Sequence, residues 1–220
     1  GNTIRPASAK HNFDRHLQGD LVLSYDKKVK DHNIGVVAGA SYTHDYSYRL
    51  SASGSGSSID LIPTLNATAD STQRASSTKT MEATLSYFGR VNYDYQSKYL
   101  LSLVLRKDGY SKLAKENRWG VFPGVSTGWV FSKEKFMANT SDILSFGKLR
   151  ASFGLNGNVN KNFVGNYTVQ GSYGSNTYNG ATGFLLGSIP NPYLMWEKSR
   201  TFEIGLDSVS YTHLTLPTIA

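Results

Sequence analysis

Residues Ala83–Lys107 read ATLSYFGRVNYDYQSKYLLSLVLRK, two alternating runs joined by the polar pair Gln96-Ser97. In the first run Ala, Leu, Tyr, Gly and Val fall on the odd positions, and the even positions are polar except for Phe88. In the second run Tyr and Leu again fall on odd positions, and Lys98, Ser102 and Arg106 fall on even ones. Because successive side chains of a strand point to opposite faces, the stretch predicts a β-hairpin with one apolar and one polar face.

The length of the two runs leaves two fold hypotheses open. Each run has about ten residues or more, which is what a tilted strand needs to cross a bilayer. Strands of soluble proteins more often have about 5–6 residues. Tyrosines at the ends of apolar runs suit a membrane–water interface. The pattern is therefore compatible with a transmembrane barrel and with a soluble antiparallel sheet that has one wet face.

Composition excludes several classes of protein. The 220 residues contain no cysteine, which rules out disulfide frameworks and thiolate metal sites. The net charge is +7, but the basic residues are dispersed without a dense run, so we expect no nucleic-acid partner. No apolar run approaches about 18 residues, so any membrane span must be a strand. The chain begins at Gly1 with no initiator Met or signal peptide, and we interpret it as a piece of a longer protein.

Alternation recurs along the chain and predicts about eight strands in all. No period is visible in residues 1–18, and Pro123 predicts a bulge or break because proline cannot donate to a strand ladder. The remaining strand segments are predicted at Asp20–Asp26, Ile34–Tyr48, Arg118–Phe131, Lys148–Leu155 and Trp196–Asp207, with two weaker candidates at Val164–Tyr173 and Thr177–Leu186.

A Ser/Thr/Gly-rich stretch, Ser51–Thr78, lacks aromatic residues and periodicity and predicts a long loop. A barrel with long loops at one end and short turns at the other would place this loop opposite the Gln96-Ser97 turn. A linker between domains would have the same composition.

The sequence shows no pattern for covalent chemistry. It contains no HExxH, GxSxG or P-loop motif, and its five His are scattered. We therefore predict no catalytic residue, no metal site, no cofactor and no enzymatic activity.

Five segments together resemble the SusC/RagA-type TonB-linked outer-membrane transporters of Bacteroidota. They occur in the order and spacing of that family and cover about half of the chain: Ser86–Leu101, Leu105–Leu113, Asn117–Met137, Leu149–Asn158 and Asn191–Asp207. The resemblance implies an all-β antiparallel meander that is part of a transmembrane barrel of about 22 strands, open and incomplete in this chain.

The same resemblance implies function, partners and location. It predicts a fragment of an outer-membrane active importer of large nutrients, oligosaccharide or peptide. The fragment would supply barrel wall and extracellular loops. Expected partners are the TonB complex, acting through a plug that this sequence lacks, a surface lipoprotein of the SusD type, and outer-membrane lipid. The alternative is a small structural or adhesin-like antiparallel β protein without transport activity.

Candidate site residues follow from strand parity and loop position. If the chain is barrel wall, a polar set should face the lumen or the plug: Glu82, Arg90, Asn92, Asp94, Arg106 and Arg150. Loop aromatics that could stack on sugar rings are weaker candidates for substrate binding: Tyr110, Tyr173 and Tyr178.

The last twelve residues, VSYTHLTLPTIA, depart from the family pattern. They resemble a translated sequencing-library adapter, so we predict a barrel domain at residues 1–208 and a non-native tail at 209–220.

Overall fold

The computed structural model describes residues 5–59, 61–62, 64–140, 143–159 and 164–210. Nine β-strands lie in these ranges. They are β1 (Ala7–Val29), β2 (His32–Gly54), β3 (Arg74–Tyr95), β4 (Tyr99–Tyr110), β5 (Trp119–Trp129), β6 (Phe146–Asn158), β7 (Ser172–Tyr178), β8 (Ala181–Ser188) and β9 (Glu197–Val209). Short 3-10 turns lie at Leu65–Ala67, Asp70–Thr72, Phe131–Lys133 and Lys135–Thr140.

Seven strands form one open antiparallel sheet in the order β1-β2-β3-β4-β5-β6-β9, and β7 and β8 form a separate hairpin. Neighbours in the large sheet follow one another in sequence, except that the β7–β8 hairpin lies within the connection from β6 to β9. The all-β meander predicted from sequence is confirmed, with nine strands where about eight were expected.

The residues of this chain cluster into two units, which we describe separately. The first contains residues 1–19 and 42–84, and therefore holds the loop between β2 and β3 with the strand segments that flank it. The second contains residues 20–41 and 85–220, with the remaining parts of β1 to β3 and all of β4 to β9. No helix in the described ranges is long and apolar enough to cross a membrane.

Four strands of the second unit pair in a continuous register. Ser102 of β4 lies opposite Ser126 of β5, Ser126 lies opposite Ser152 of β6, and Ser152 lies opposite Glu203 of β9. This register aligns the even positions of β4, β5 and β6 with the odd positions of β9 on one face of the sheet. We call it the polar face, and the opposite one the apolar face.

The turn predicted at Gln96-Ser97 is confirmed and is tight. Both residues have positive φ, 54° and 51°, as the favoured two-residue hairpin turns require at both central positions. Neither residue is glycine, so local hydrogen bonds support the strained backbone. Asp94 accepts from the Ser97 backbone N–H at 2.7 Å, and Gln96 donates its backbone N–H to the Asp31 carbonyl at 2.8 Å.

Several strand boundaries predicted from sequence are wrong. β1 begins at Ala7, within the segment where no period was found, and only residues 30–31 separate it from β2, although strands were predicted only up to Asp26 and from Ile34. The strand predicted at Val164–Tyr173 begins only at Ser172. The even positions of residues 7–18 are all polar, but His11 and Arg15 interrupt the apolar residues at the odd positions, so the alternation is weak, although the backbone still pairs with β2. Backbone pairing does not require an amphipathic side-chain pattern.

The break expected at Pro123 is also wrong. β5 continues through Pro123, which lies opposite Leu105 of β4. The ladder between β5 and β6 starts only at Gly124. Pro123 therefore lies where β5 has a partner on one side, and a strand tolerates a missing N–H at such a position.

The loop between β2 and β3 is shorter than predicted and its base is closed by hydrogen bonds. It spans residues 55–73, because β2 extends to Gly54 and β3 starts at Arg74. Ala69 donates its backbone N–H to the Ser55 carbonyl at 2.9 Å. The Thr72 hydroxyl donates to the same carbonyl at 2.9 Å and accepts from the Ser55 N–H at 2.9 Å. The loop therefore has a fixed base formed by its own residues.

The Val209–Ala220 tail predicted from sequence is described only at its start. Val209 ends β9 and pairs with Phe146, whereas residues 211–220 lie outside the described ranges. The domain boundary at residue 208 stays a prediction.

Candidate functional site: a sheet with two chemically opposite faces

The apolar face of β4, β5, β6 and β9 consists of large hydrophobic side chains that the chain itself leaves uncovered. Their exposed fractions range from 37% at Trp129 to 68% at Ile204. The others on this face are Tyr99, Leu101, Leu103, Leu105, Trp119, Val121, Val125, Leu149, Phe153, Phe202 and Leu206. A band of this size on one face marks a contact surface for lipid or protein.

The polar face carries a row of small hydroxyl side chains across the strands. Ser102, Ser126 and Ser152 follow one another in register and end at Glu203. On the β3 side, Ser102 donates its hydroxyl to the Asn92 side-chain oxygen at 2.7 Å. Five strands therefore each contribute one polar group at the same height. The sequence analysis missed this row, because serine parity becomes informative only once the register is known.

Ion pairs neutralise arginines on the polar face. Arg106 donates Nε to both carboxylate oxygens of Asp108, at 2.8 and 2.7 Å, and its Nη2 lies 3.3 Å from the hydroxyl of the buried Ser86. Arg150 lies 3.5 Å from the Asp207 carboxylate and covers Gly205. Two of the three predicted arginines, Arg106 and Arg150, thus share the polar face, each with a carboxylate partner.

Large side chains on the polar face lie over glycines of neighbouring strands. The Phe88 ring lies over Gly39, with its Cζ 2.5 Å from the place where a Cβ would stand. Phe122 covers Gly157 in the same way. Phe88 is the apolar residue that interrupted the polar positions of the sequence pattern. The polar face accommodates it because a glycine in the neighbouring strand leaves room for the ring to lie flat on the backbone.

A concavity of about 770 Å³ lies on the polar face of the second unit. Charged and amide side chains line it, including Asp26, Asn33, Asp94, Lys148 and Arg150, together with the serine row. Asn33 donates to the Asp94 carboxylate at 3.2 Å across neighbouring strands. The concavity offers both donors and acceptors, which suits hydrogen bonding to a polar surface.

The remaining predicted polar residues all lie in β3 but differ in their surroundings. Asn92 and Asp94 line the concavity, Arg90 is exposed, and Glu82 is half-buried in the first unit. The structure therefore brings Asn92, Asp94 and Arg150 into one cavity and leaves Glu82 in a separate unit. Their contact with a plug or with substrate stays a prediction.

The aromatic candidates for substrate binding do not share one environment. Tyr110 was expected in a loop, but it ends β4 and is only 4% exposed, packed with Leu113 and Val164. Tyr173 lies in β7 and is 75% exposed. Tyr178 also belongs to β7, and its side chain lies outside the described part of the chain. Tyr110 therefore packs the base of the loops, and of the other two only Tyr173 is shown with a free ring.

A small core at the loop end of the sheet was not predicted. Trp196 donates Nε1 to the Arg118 carbonyl at 2.8 Å and packs against the rings of Tyr110 and Phe122. Leu113 and Val164 complete the cluster, with Val159 and Leu194 at its edge. Residues far apart in sequence meet here, and their contact depends on the β6–β9 pairing.

Glu134 fixes the opposite end of β4 and β5. It accepts from the Tyr99 hydroxyl at 2.7 Å and from the Trp129 Nε1 at 3.3 Å, and the Lys98 ammonium lies 3.4 Å away. These partners hold the pKa of the Glu134 carboxyl below its usual 4.5, with the Tyr99 hydrogen bond as the largest cause. Glu134 therefore ties the 3-10 turns after β5 to the hairpin at Gln96-Ser97.

A histidine–carboxylate pair lies in the first unit. His16 of β1 pairs through Nδ1 with Asp45 of β2, and this hydrogen bond is the largest cause that raises the His16 pKa above 6.5. His16 lies more than ten residues before the β1–β2 turn. A strand needs about 9–11 residues to cross a bilayer, so a span that starts at this turn would end before it reaches His16.

Comparison with known proteins identifies the family. A family model described as "TonB dependent receptor-like, beta-barrel" matches residues 2–216. The chain belongs to the TonB-dependent receptor family. The SusC/RagA resemblance seen in the sequence is thereby confirmed, and the matched part of that family is its β-barrel.

Two relatives show how much of a TonB-dependent receptor the chain represents. TonB-dependent receptor P3 of Formosa agariphila is 31% identical over 193 residues, which cover 84% of this chain and 19% of P3. TonB-dependent receptor SusC of Bacteroides thetaiotaomicron is 35% identical over 137 residues, 58% of this chain and 13% of SusC. The chain thus spans less than a fifth of the length of these relatives.

Solved structures agree on the fold. The chain is similar to a structure of the RagAB peptide transporter, with a TM-score of 0.78 and 24% identity over 93% of this chain and 22% of that one. The RagAB peptide importer in its "closed-closed" state gives a TM-score of 0.79 with the same coverage. At this identity the likeness concerns the fold alone.

Proposed function

We propose that this chain forms part of the barrel wall and extracellular loops of an outer-membrane importer of large nutrients. The observation that carries the proposal is the division of β4, β5, β6 and β9 into an apolar face and a polar face that holds a row of serines and paired arginines. Barrel strands that cross an outer membrane alternate in this way between lipid and lumen.

The energetic cost of the apolar face supports a membrane setting. Covering a large hydrophobic side chain gives about 1.5–3 kcal/mol. If these half-exposed side chains stayed in water, the protein would forgo roughly 10–20 kcal/mol of hydrophobic stabilisation. That is as much as the whole net stability of a typical domain, about 5–15 kcal/mol. Contact with lipid removes that cost. A soluble sheet with the same alternation would need a second layer of protein to cover its apolar face.

On this proposal the polar face packs against the plug of the receptor. Arg106 and Arg150 on this face are already paired with Asp108 and Asp207, which suits hydrogen bonding to a polar protein surface more than capture of a charged ligand. The predicted set Glu82, Arg90, Asn92, Asp94, Arg106 and Arg150 would line the lumen, and Tyr173 would be a loop contact to substrate. No covalent step is involved, and import would be energised by TonB acting through the plug.

Substrate and partners follow from the family and its neighbours. A peptide is one candidate, since the RagAB structures are named for peptide transport. An oligosaccharide is the other, as the resemblance to SusC/RagA-type transporters implies. A surface lipoprotein of the SusD type would close the loop end. Deleting the gene and measuring growth on peptides or oligosaccharides as sole carbon source tests the substrate, and a protonophore tests the energy source.

Cysteine labelling tests the wall assignment directly, because the chain has no cysteine of its own. Leu103→Cys and Ser102→Cys are adjacent in β4 and lie on opposite faces. In the full-length receptor in outer membranes, the residue at 103 should react with a lipid-soluble maleimide and resist a charged one. The charged reagent should react at 102 more readily than at 103. Equal reaction of both sites with the charged reagent would favour a water-exposed adhesin-like sheet.

A further inference from the structure

The apolar face of β4, β5, β6 and β9 has charged side chains at one end only. They are Lys107 of β4 and Lys198 and Arg200 of β9, all of them cationic and all near the ends of their strands that adjoin the long connections. We call these three residues the cationic end. At the opposite end of the same face lie Tyr99 and Trp129, which are uncharged.

The cationic end differs from Arg106 and Arg150 of the polar face in having no carboxylate partner. Arg106 and Arg150 are each paired with an aspartate, whereas none of the three cations forms an ion pair within the described ranges. All three side chains are exposed. Exposed cations without counter-charges are free to bind an anion supplied from outside the chain.

Lys107 and Lys198 lie at the same end of the sheet. Lys107 lies opposite Val121, and Lys198 lies opposite Gly157. Both pairs lie beyond the last β5–β6 pair, Gly124 with Gly154, on the side of the long connections. Strands β4 and β9 are three strand spacings apart, about 14 Å. Long flexible side chains at that separation can reach the same headgroup or two adjacent ones.

The height of the cations matches the edge of a membrane. Lys107 follows Tyr99 by eight residues along β4, which is about 27 Å of strand and, at a tilt of about 40°, about 21 Å along the membrane normal. An outer-membrane barrel has an apolar band about 25 Å tall with aromatic residues at both edges. Trp119 provides the aromatic residue at the Lys107 end, and the Lys107 ammonium lies 5.1 Å from the centre of its ring. This contact keeps the charge at the level of the headgroups.

We infer that the cationic end binds a phosphate-bearing lipid headgroup in the membrane leaflet on the loop side. The acyl chains would lie along the leucine and phenylalanine band of the same face, which continues directly below the cations. This inference rests on the proposed function, since it needs the apolar face to contact lipid. It goes beyond the proposed function in stating that the cationic end prefers lipids with a negatively charged headgroup.

The test compares two forms of one lipid on the full-length receptor in detergent. The probes are a phosphorylated lipid A and the same lipid A without phosphate, counted on the receptor by native mass spectrometry. We expect the phosphorylated form to bind in preference. Lys107→Gln/Lys198→Gln should reduce that preference about tenfold or more, since each cation near an anionic headgroup contributes to binding. Excess inorganic phosphate should not displace the lipid, because phosphate lacks the acyl chains.

The matched control removes the same charge from the other end of β5. Lys133→Gln/Lys135→Gln changes two exposed lysines in the short turns after this strand. It should leave the preference unchanged, and an unaltered circular dichroism spectrum shows that each variant folds. Equal binding of the two lipids to the wild type would overturn the inference and leave the wall intact. Binding of neither lipid would contradict the wall assignment itself.

Discussion

The ring of Phe122 lies over Gly157, in the space that a side chain at position 157 would occupy. Phe122 is 6% exposed, so the glycine completes the burial of an aromatic residue on an otherwise polar face. The same arrangement joins Phe88 to Gly39. Glycines in these strands therefore have a packing role that depends on the neighbouring strand.

Replacing Gly157 by alanine should destabilise the sheet. The new Cβ would meet the Phe122 ring, and overpacking of this kind costs about 1–3 kcal/mol. The free energy of unfolding of the full-length receptor, measured by urea titration in detergent, should fall by that amount. Gly154 lies in the same strand, but a Cβ there would have its nearest neighbour at 3.9 Å.

Gly154→Ala is therefore the matched control, and it should be neutral or stabilise by up to about 1 kcal/mol, because alanine loses less backbone entropy on folding. If both alanines had the same effect on unfolding, the stacking of Phe122 on Gly157 would have no energetic importance.

Protonation of Glu134 should release the end of β5. Its pKa is lowered by the Tyr99 hydrogen bond, so the stabilisation is fully present above 4.5 and is lost as the pH falls through the depressed value. The Trp129 indole donates to this carboxylate, so tryptophan fluorescence should change at a pH below 4.5. The transition should disappear in Glu134→Gln and in Trp129→Phe.

Glu116→Gln, in the exposed loop after β4, serves as the control and should retain the transition. A fluorescence change centred above 4.5 in the wild type would contradict the lowered pKa.

The 220-residue chain on its own should not form a stable pore. In the described sheet β1 and β9 each have a hydrogen-bonded neighbour on one side only. An unsatisfied backbone group in lipid costs several kcal/mol, so two free edges cost tens of kcal/mol. We expect the isolated chain to aggregate in detergent, as light scattering after size-exclusion chromatography would show. A monodisperse, heat-resistant monomer would disprove this.

Side-chain alternation predicted the fold where the sheet has two different faces. The hairpin around Gln96-Ser97 and the strands β6 and β9 follow from parity, because two different environments on the faces of a sheet impose opposite side chains on successive residues. Residues 7–18 were missed because His11 and Arg15 interrupt the apolar side of their alternation. Pro123 was misinterpreted because its effect depends on whether β6 extends far enough to pair with it.

The candidate site was predictable only in part. Parity placed Arg106, Asp108 and Arg150 on the polar face, and register was needed to show that Asp207 of β9 pairs with Arg150. The serine row and the packing of Tyr110 against Val164 depend on pairings between distant segments. The sequence alone predicts which face of the sheet a side chain is on. Only the pairing between strands shows which side chains of neighbouring strands it contacts.

The closed base of the loop between β2 and β3 has a consequence for how such receptors diversify. Ser55, Ala69 and Thr72 join the two ends of the loop through main-chain and hydroxyl bonds. Insertions or substitutions at the tip therefore leave the strands on either side in register. Changes in the loop sequence can therefore alter what the loop binds without disturbing the pairing of the barrel strands.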